Sequence, residues 1–179
     1  GAAAAGATVC IFYTKAKANL VTGGNVTVTL SNSKTAKAAT MWEFSMSATK
    51  ILSVSAGADL ANDGADAGSM TLSGLTSQEY LFIRGGAVEN NGTTYSPSTN
   101  YTTFTHTTST TAGGATNSNM GARGEFRILT GTSDSTDPVT SAADQASVYV
   151  ALSEVNPPTG GGPRRVFISQ IRSLPSGHE

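Results

Sequence analysis

The chain has 179 residues, the length of one domain that can bury a self-sufficient core without disulfides or metals. Charged residues supply only 13% against a usual ~25%, and the net charge of −1 gives no global field to gather nucleic acid. Thr, Ser, Gly, Ala and Asn replace the Lys, Glu, Gln and Arg that clothe helices, which points to an all-β chain with long polar loops.

The first expected strand, Ala7 to Thr14, is apolar on both faces, as in a strand buried on both sides. Cys10 lies within it and is expected to pack as a small buried hydrophobe; being the only cysteine, it leaves no intrachain disulfide. After the turn signal Gly23-Gly24, Asn25 to Ser31 alternates, with Val26, Val28 and Leu30 against Thr27 and Thr29. Thr40 to Ser47 sets Trp42, Phe44 and Met46 against Glu43 and Ser45. Ile51 to Ser55 and Ser69 to Ser73 are shorter candidates. Glu79 to Val88, with Tyr80-Leu81-Phe82-Ile83 at its heart, reads as a central strand. Arg123 to Thr130 sets Phe126 and Ile128 opposite Arg127, and Gln145 to Glu154 sets Val148, Val150 and Leu152 against Ser147 and Tyr149. Ser33 to Ala39 and Thr140 to Ala146 offer single helical turns at most. About eight or nine strands with turn chemistry between them predict an antiparallel β-sandwich, jelly-roll-like or immunoglobulin-like.

Residues 1–155 are read as the β-sandwich domain, 156–163 as a Pro/Gly linker and 164–179 as a C-terminal strand or arm. Arg165, Val166, Phe167, Ile168 and Ile171 form a β-prone stretch beyond that linker. Two dockings stay open for it: a last strand of its own domain, or an arm exchanged onto the open sheet edge of a neighbour. Arg164, Arg165 and Arg172 are read as a solvated tail and not as a nucleic-acid contact. No run approaches the ~20 apolar residues of a membrane helix.

Catalytic chemistry has little to stand on. His106 lies in a Thr-rich tract and His178 beside the last residue, and no GxSxG motif accompanies them. Glu43, Glu79, Glu89, Glu125 and Glu154 fall on or beside expected strands, but few aromatic rings are present to stack a sugar. The chain is therefore read as non-enzymatic. The loop Ala56 to Gly68 clusters Asp59, Asp63 and Asp66 around Gly64. Carboxylates so grouped suit a hard cation such as Ca²⁺, although the EF-hand spacing is missing. Ordinary turn chemistry is the competing reading.

Lys37 to Phe44, Ser73 to Arg84, Gly121 to Ile128 and the strand from Val148 to Glu154 together resemble a poorly characterised family of tailed-bacteriophage proteins regarded as virion components. The resemblance spans roughly residues 1–155 and carries no catalytic motif. It implies a place on the surface of an extracellular virus particle, as a capsid decoration (cement) protein or a tail-fibre component. The expected partners are copies of the chain itself and other virion proteins. It also implies further strand-forming sequence ahead of Gly1, so that the chain is expected to be part of a longer protein. The alternative is a module that binds a glycan on a host surface through its Thr/Asn loops, with Ca²⁺ as a candidate cofactor.

Overall fold

Branched and aromatic residues at two-residue spacing favour pleated backbone, and the fold follows that preference. The computed structural model describes residues 8–14, 27–29, 38–62, 68–88, 96–104, 107–108, 120–137 and 145–157. Among these no helix forms. The strands are β1 Ile51–Asn62, β2 Thr71–Leu72, β3 Gln78–Val88, β4 Thr102–Thr103, β5 Thr107–Thr108, β6 Gly121–Gly131, β7 Asp134–Ser135 and β8 Gln145–Val155. All pairings are antiparallel, so the chain is all-β as its composition predicts.

Four long strands stand in the order β1-β8-β3-β6, and β4 and β5 both pair with β6. β2 and β7 form a separate two-stranded sheet. In β3 the register sets Phe82 opposite Ala151 of β8 and Arg127 of β6, and Ile83 opposite Val150 and Phe126. Alternation therefore divides the large sheet into two faces. One carries Tyr80, Phe82, Arg84, Tyr149, Ala151, Glu125 and Arg127, and is here called the covered face. The other, the aromatic face, carries Ile83, Val150, Leu152, Gly124, Phe126 and Ile128.

The core lies on the covered face, where Met70, Leu72, Tyr80, Phe82, Tyr101, Tyr149 and Ala151 are buried together. Ala56 and Ala58 of β1, with Leu75 and Leu129, pack around them. The small β2–β7 sheet and the segment 96–101 supply the second layer, an arrangement compatible with a sandwich. Thr136 N–H donates to Met70 O at 2.9 Å and Leu75 N–H to Thr132 O at 3.0 Å, which tie that layer together.

Several expected strands change their bounds or their partners. Residues 8–14 and 38–50 form no ladder. Their alternation still sets which side meets the sheet: Val9, Ile11 and Tyr13 are half-buried while Thr8, Cys10, Phe12 and Thr14 are exposed. Cys10 is thus a surface thiol and not a core residue, because only one side of its segment is covered. Of the three residues expected on one side, Phe44 and Met46 are half-buried and Trp42 is 43% exposed, and their segment lies outside both sheets. The short candidate at Ile51 runs on to Asn62, because β8 offers partners up to Gln145. A bulge between Val54 and Ala56 takes up the extra residue, Ser55. The expected strand at Arg165–Ile171 lies outside the described residues, and of Asn25–Ser31 only residues 27–29, without a ladder, fall within them.

Candidate functional site

The covered face holds ionisable side chains that few cores tolerate. Arg84 is 1% exposed and Glu125 is fully buried, side by side across β3 and β6. Buried charge is costly unless donors and acceptors meet it. Arg84 Nη1 donates to Thr136 Oγ1 at 2.8 Å and to Asp137 O at 2.6 Å. Its Nη2 donates to Gly68 O and Ser147 Oγ, each at 3.3 Å. One guanidinium from the central strand thereby holds both edges of the covering layer.

Glu125 does the same for the segment 96–101. It accepts from Ser98 N–H at 2.6 Å and from Ser98 Oγ at 2.7 Å. Ser98 Oγ in turn accepts from Asp137 N–H at 2.9 Å. The Asp137 carboxylate closes the loop by accepting from Thr99 N–H at 2.8 Å and Thr99 Oγ1 at 3.1 Å. Those bonds from the Thr99 backbone and hydroxyl hold the Asp137 carboxyl below the usual carboxylate range. The turn itself closes through Tyr101 N–H to Ser98 O at 2.9 Å, with Asn100 left-handed at φ 65°.

A second cluster surrounds Asp134. Its carboxylate accepts from Tyr149 Oη at 2.8 Å and from Arg127 Nε at 2.9 Å, and also from Tyr101 Oη and Arg127 Nη2. The two tyrosine hydroxyls lie 2.6 Å apart, so three oxygen contacts share two hydroxyl protons. The Arg127 guanidinium also lies over the Tyr101 ring, 5.2 Å from its centroid. Burial first, then the bond to Asp134, pushes the Tyr101 phenol well above its ordinary value. Burial and the bonds to Tyr101 and Asp134 push Tyr149 further in the same direction. Each carboxylate here is engaged by donors of the protein itself, an arrangement suited to holding loops in place.

The aromatic face is built differently. Trp42 stacks on Phe104 with centroids 5.3 Å apart, and Phe44 meets Phe126 edge-on at 4.9 Å. Gly85 and Gly124, paired across β3 and β6, leave the sheet bare beneath these groups. A Cβ at Gly85 would stand 3.1 Å from Ile11, and one at Gly124 would clash with the edge of the Phe104 ring. The segments containing Ile11 and Phe104 approach closely because no side chain keeps them away. Coverage here is partial: Met41 is 62% exposed, Ile128 58% and Trp42 43%, and Phe12, on the outer side of the segment that carries Ile11, is 71% exposed.

Of the residues singled out by sequence, Asp59 stands exposed on β1 opposite Val148, in a strand and not in a loop. Asp63, Asp66 and the arm residues Arg165, Val166, Phe167, Ile168 and Ile171 lie outside the described residues, as do His106, Glu89 and His178. Glu79 and Glu154 project toward the aromatic face and Glu125 toward the covered one, so the sheet separates them. Glu43 is exposed, and Glu154 accepts from Ser47 N–H at 2.9 Å. Residue type and spacing alone do not single out Arg84, Asp134, Tyr101 and Tyr149 as site residues. The one signal in the sequence is an arginine placed by alternation on the same side as Tyr80 and Phe82. Comparison with family models, with curated proteins and with solved structures returns no match.

Proposed function

We propose that this chain is a structural component of a tailed-bacteriophage particle, of capsid decoration or tail-fibre type. It sits on the outer surface of the particle and acts by assembly through strand pairing and apolar contact, without covalent chemistry. The observation that carries the reading is the half-open aromatic face: Trp42, Phe44, Phe104 and Phe126 cluster beside the exposed Met41 and Ile128. Patches of that kind mark surfaces that meet other protein. The polar network supports it from the other side, since the carboxylates of Glu125 and Asp134 are spent on positioning loops.

The test is mass by light scattering on the full chain and on a version ending at Val155. The proposal expects a defined oligomer for the full chain. Loss of the oligomer on truncation assigns the contact to the C-terminal arm, and its survival assigns it to the sheet. A monomer in both cases overturns the assembly reading and favours the glycan-binding module instead.

A further inference from the structure

The two edges of the large sheet are finished differently. The outer side of β6 is met by β4 and β5, whereas β1, among the described residues, pairs only with β8. Edge strands are usually blunted by Lys, Pro, inward-pointing charge, shortness, cover or a bulge, and of these β1 carries the bulge between Val54 and Ala56. β1 is twelve residues long, contains neither Lys nor Pro, and exposes Ile51 and Val54. Its single charge is Asp59, and Lys50 immediately precedes it.

We propose that the outer edge of β1 pairs antiparallel with β1 of a second copy across a two-fold axis, continuing the sheet from one subunit into the next. This rests on the assembly reading and names the surface used. A two-fold axis normal to the sheet leaves each residue on its own face, so only registers that match faces are allowed. In a regular strand such registers centre on a residue. In β1 the bulge at Ser55 shifts the alternation by one place. Ser53, opposite Ser153, shares the covered face with Ala56 and Ala58, which stand opposite Ala151 and Tyr149. Leu52, opposite Glu154, shares the other face with Gly57 and Asp59, opposite Val150 and Val148.

A register that brackets the bulge therefore sets Ser53 against Ala56 of the second copy, Leu52 against Gly57 and Ile51 against Ala58. One step further out, Lys50 meets Asp59 of the second copy, and the same pair recurs at the other end. Each of these four pairs agrees in face, and only Val54 and Ser55 at the axis fall outside the match, because the bulge turns Ser55 Oγ toward Ser153 Oγ on the covered side. Lys50 continues the alternation onto the side of Leu52, where its Nζ donates to Asn156 Oδ1 at 2.6 Å. An ammonium carries three donors, so that bond is compatible with a carboxylate beside it. Sliding the strands by two residues in either direction takes Lys50 off Asp59. Exposed ion pairs add little affinity, so the ladder and the side-chain contacts supply the binding and the charges choose the register.

The experiment is sedimentation velocity on the full chain and three variants, with circular dichroism to confirm folding. Wild type is expected to sediment as a dimer or a multiple of one. Val54→Lys sets like charges beside the axis and yields monomer. Asp59→Lys weakens self-association by about tenfold or more, and Lys50→Glu with Asp59→Lys restores it. If Val54→Lys fails to fold, the loss and rescue by the charge swap decide alone, since Asp59 is exposed. Wild-type mass retained by both single variants overturns the edge pairing while leaving assembly through another surface intact. A monomeric wild type overturns both.

Discussion

The two faces of one sheet show different ways of burying a surface. On the covered face, loops are held by directional bonds: Arg84, Glu125 and Asp134 reach segments that carry Thr136, Ser98 and Tyr101. On the aromatic face, segments lie over paired glycines and are held by ring contacts such as Trp42 on Phe104. The first arrangement is specific and intolerant, because any deleted partner leaves another polar group buried alone. The second is adaptable and unfinished, and it leaves Phe12, Met41 and Ile128 in solvent. Fixed loops on one side and open apolar surface on the other suit a module whose sheet is a platform for neighbours.

The sharpest break in that comparison is Asp134→Ala, which strands Arg127 and both tyrosine hydroxyls at once. The expected cost is about 3 kcal/mol, since removing one partner of a buried charged cluster leaves the others unmatched. Urea unfolding followed by circular dichroism measures it, and a cost under ~1 kcal/mol would show that the network is not what holds the layer.

Gly124→Ala probes the other face. Its new Cβ displaces the Phe104 ring, and overpacking of this kind costs about 1–3 kcal/mol. The chain has a single tryptophan, so Trp42 emission should shift as its stacking partner moves, while the tyrosine cluster stays as it was. An unchanged spectrum would separate Trp42 from Phe104.

The smallest effect comes from Tyr149→Phe, about 1 kcal/mol near neutral pH for the lost hydroxyl bonds. Its pH dependence is more telling. Tyr101 and Tyr149 are both raised, so below the ordinary tyrosine value of about 10 each is protonated, folded or unfolded, and stability is complete. Above it the unfolded chain gains by ionising while the folded chain resists, so stability falls as pH climbs toward the raised values. Tyrosinate absorbance should show one fewer phenol held back until unfolding in Tyr149→Phe than in the wild type. Ordinary titration of all phenols in the folded protein would contradict the cluster.

Much of the fold is legible in the sequence. Tyr80-Leu81-Phe82-Ile83 marked β3, and the alternation of Arg123–Thr130 and Gln145–Glu154 marked β6 and β8 within a residue or two. Thr102–Thr103, Thr107–Thr108 and Asp134–Ser135 gave no warning, because two-residue strands have no period to detect. The alternation in Thr40–Ser47 sets Phe44 and Met46 apart from Glu43 and Ser45, but neither the exposure of Trp42 nor the segment's place outside the ladders follows from it. Side-chain period is a local property, whereas a ladder needs a neighbouring strand with free bonds.

By itself the sequence determined an all-β antiparallel chain, its long strands and their two-residue period, since these follow from backbone preference and turn chemistry. Only the tertiary structure decided which side of those strands is inside. Alternation sets Phe126 and Ile128 against Arg127, yet the arginine's face is the covered one and Ile128 stands in solvent. Likewise Ser147 and Tyr149 are buried while Val148 and Val150 are half-exposed. Burial depends on which distant segment arrives to cover a face, and polar side chains go inside once partners remote in sequence satisfy them. Glu125 finds Ser98 27 residues away, and Arg84 finds Thr136 at 52.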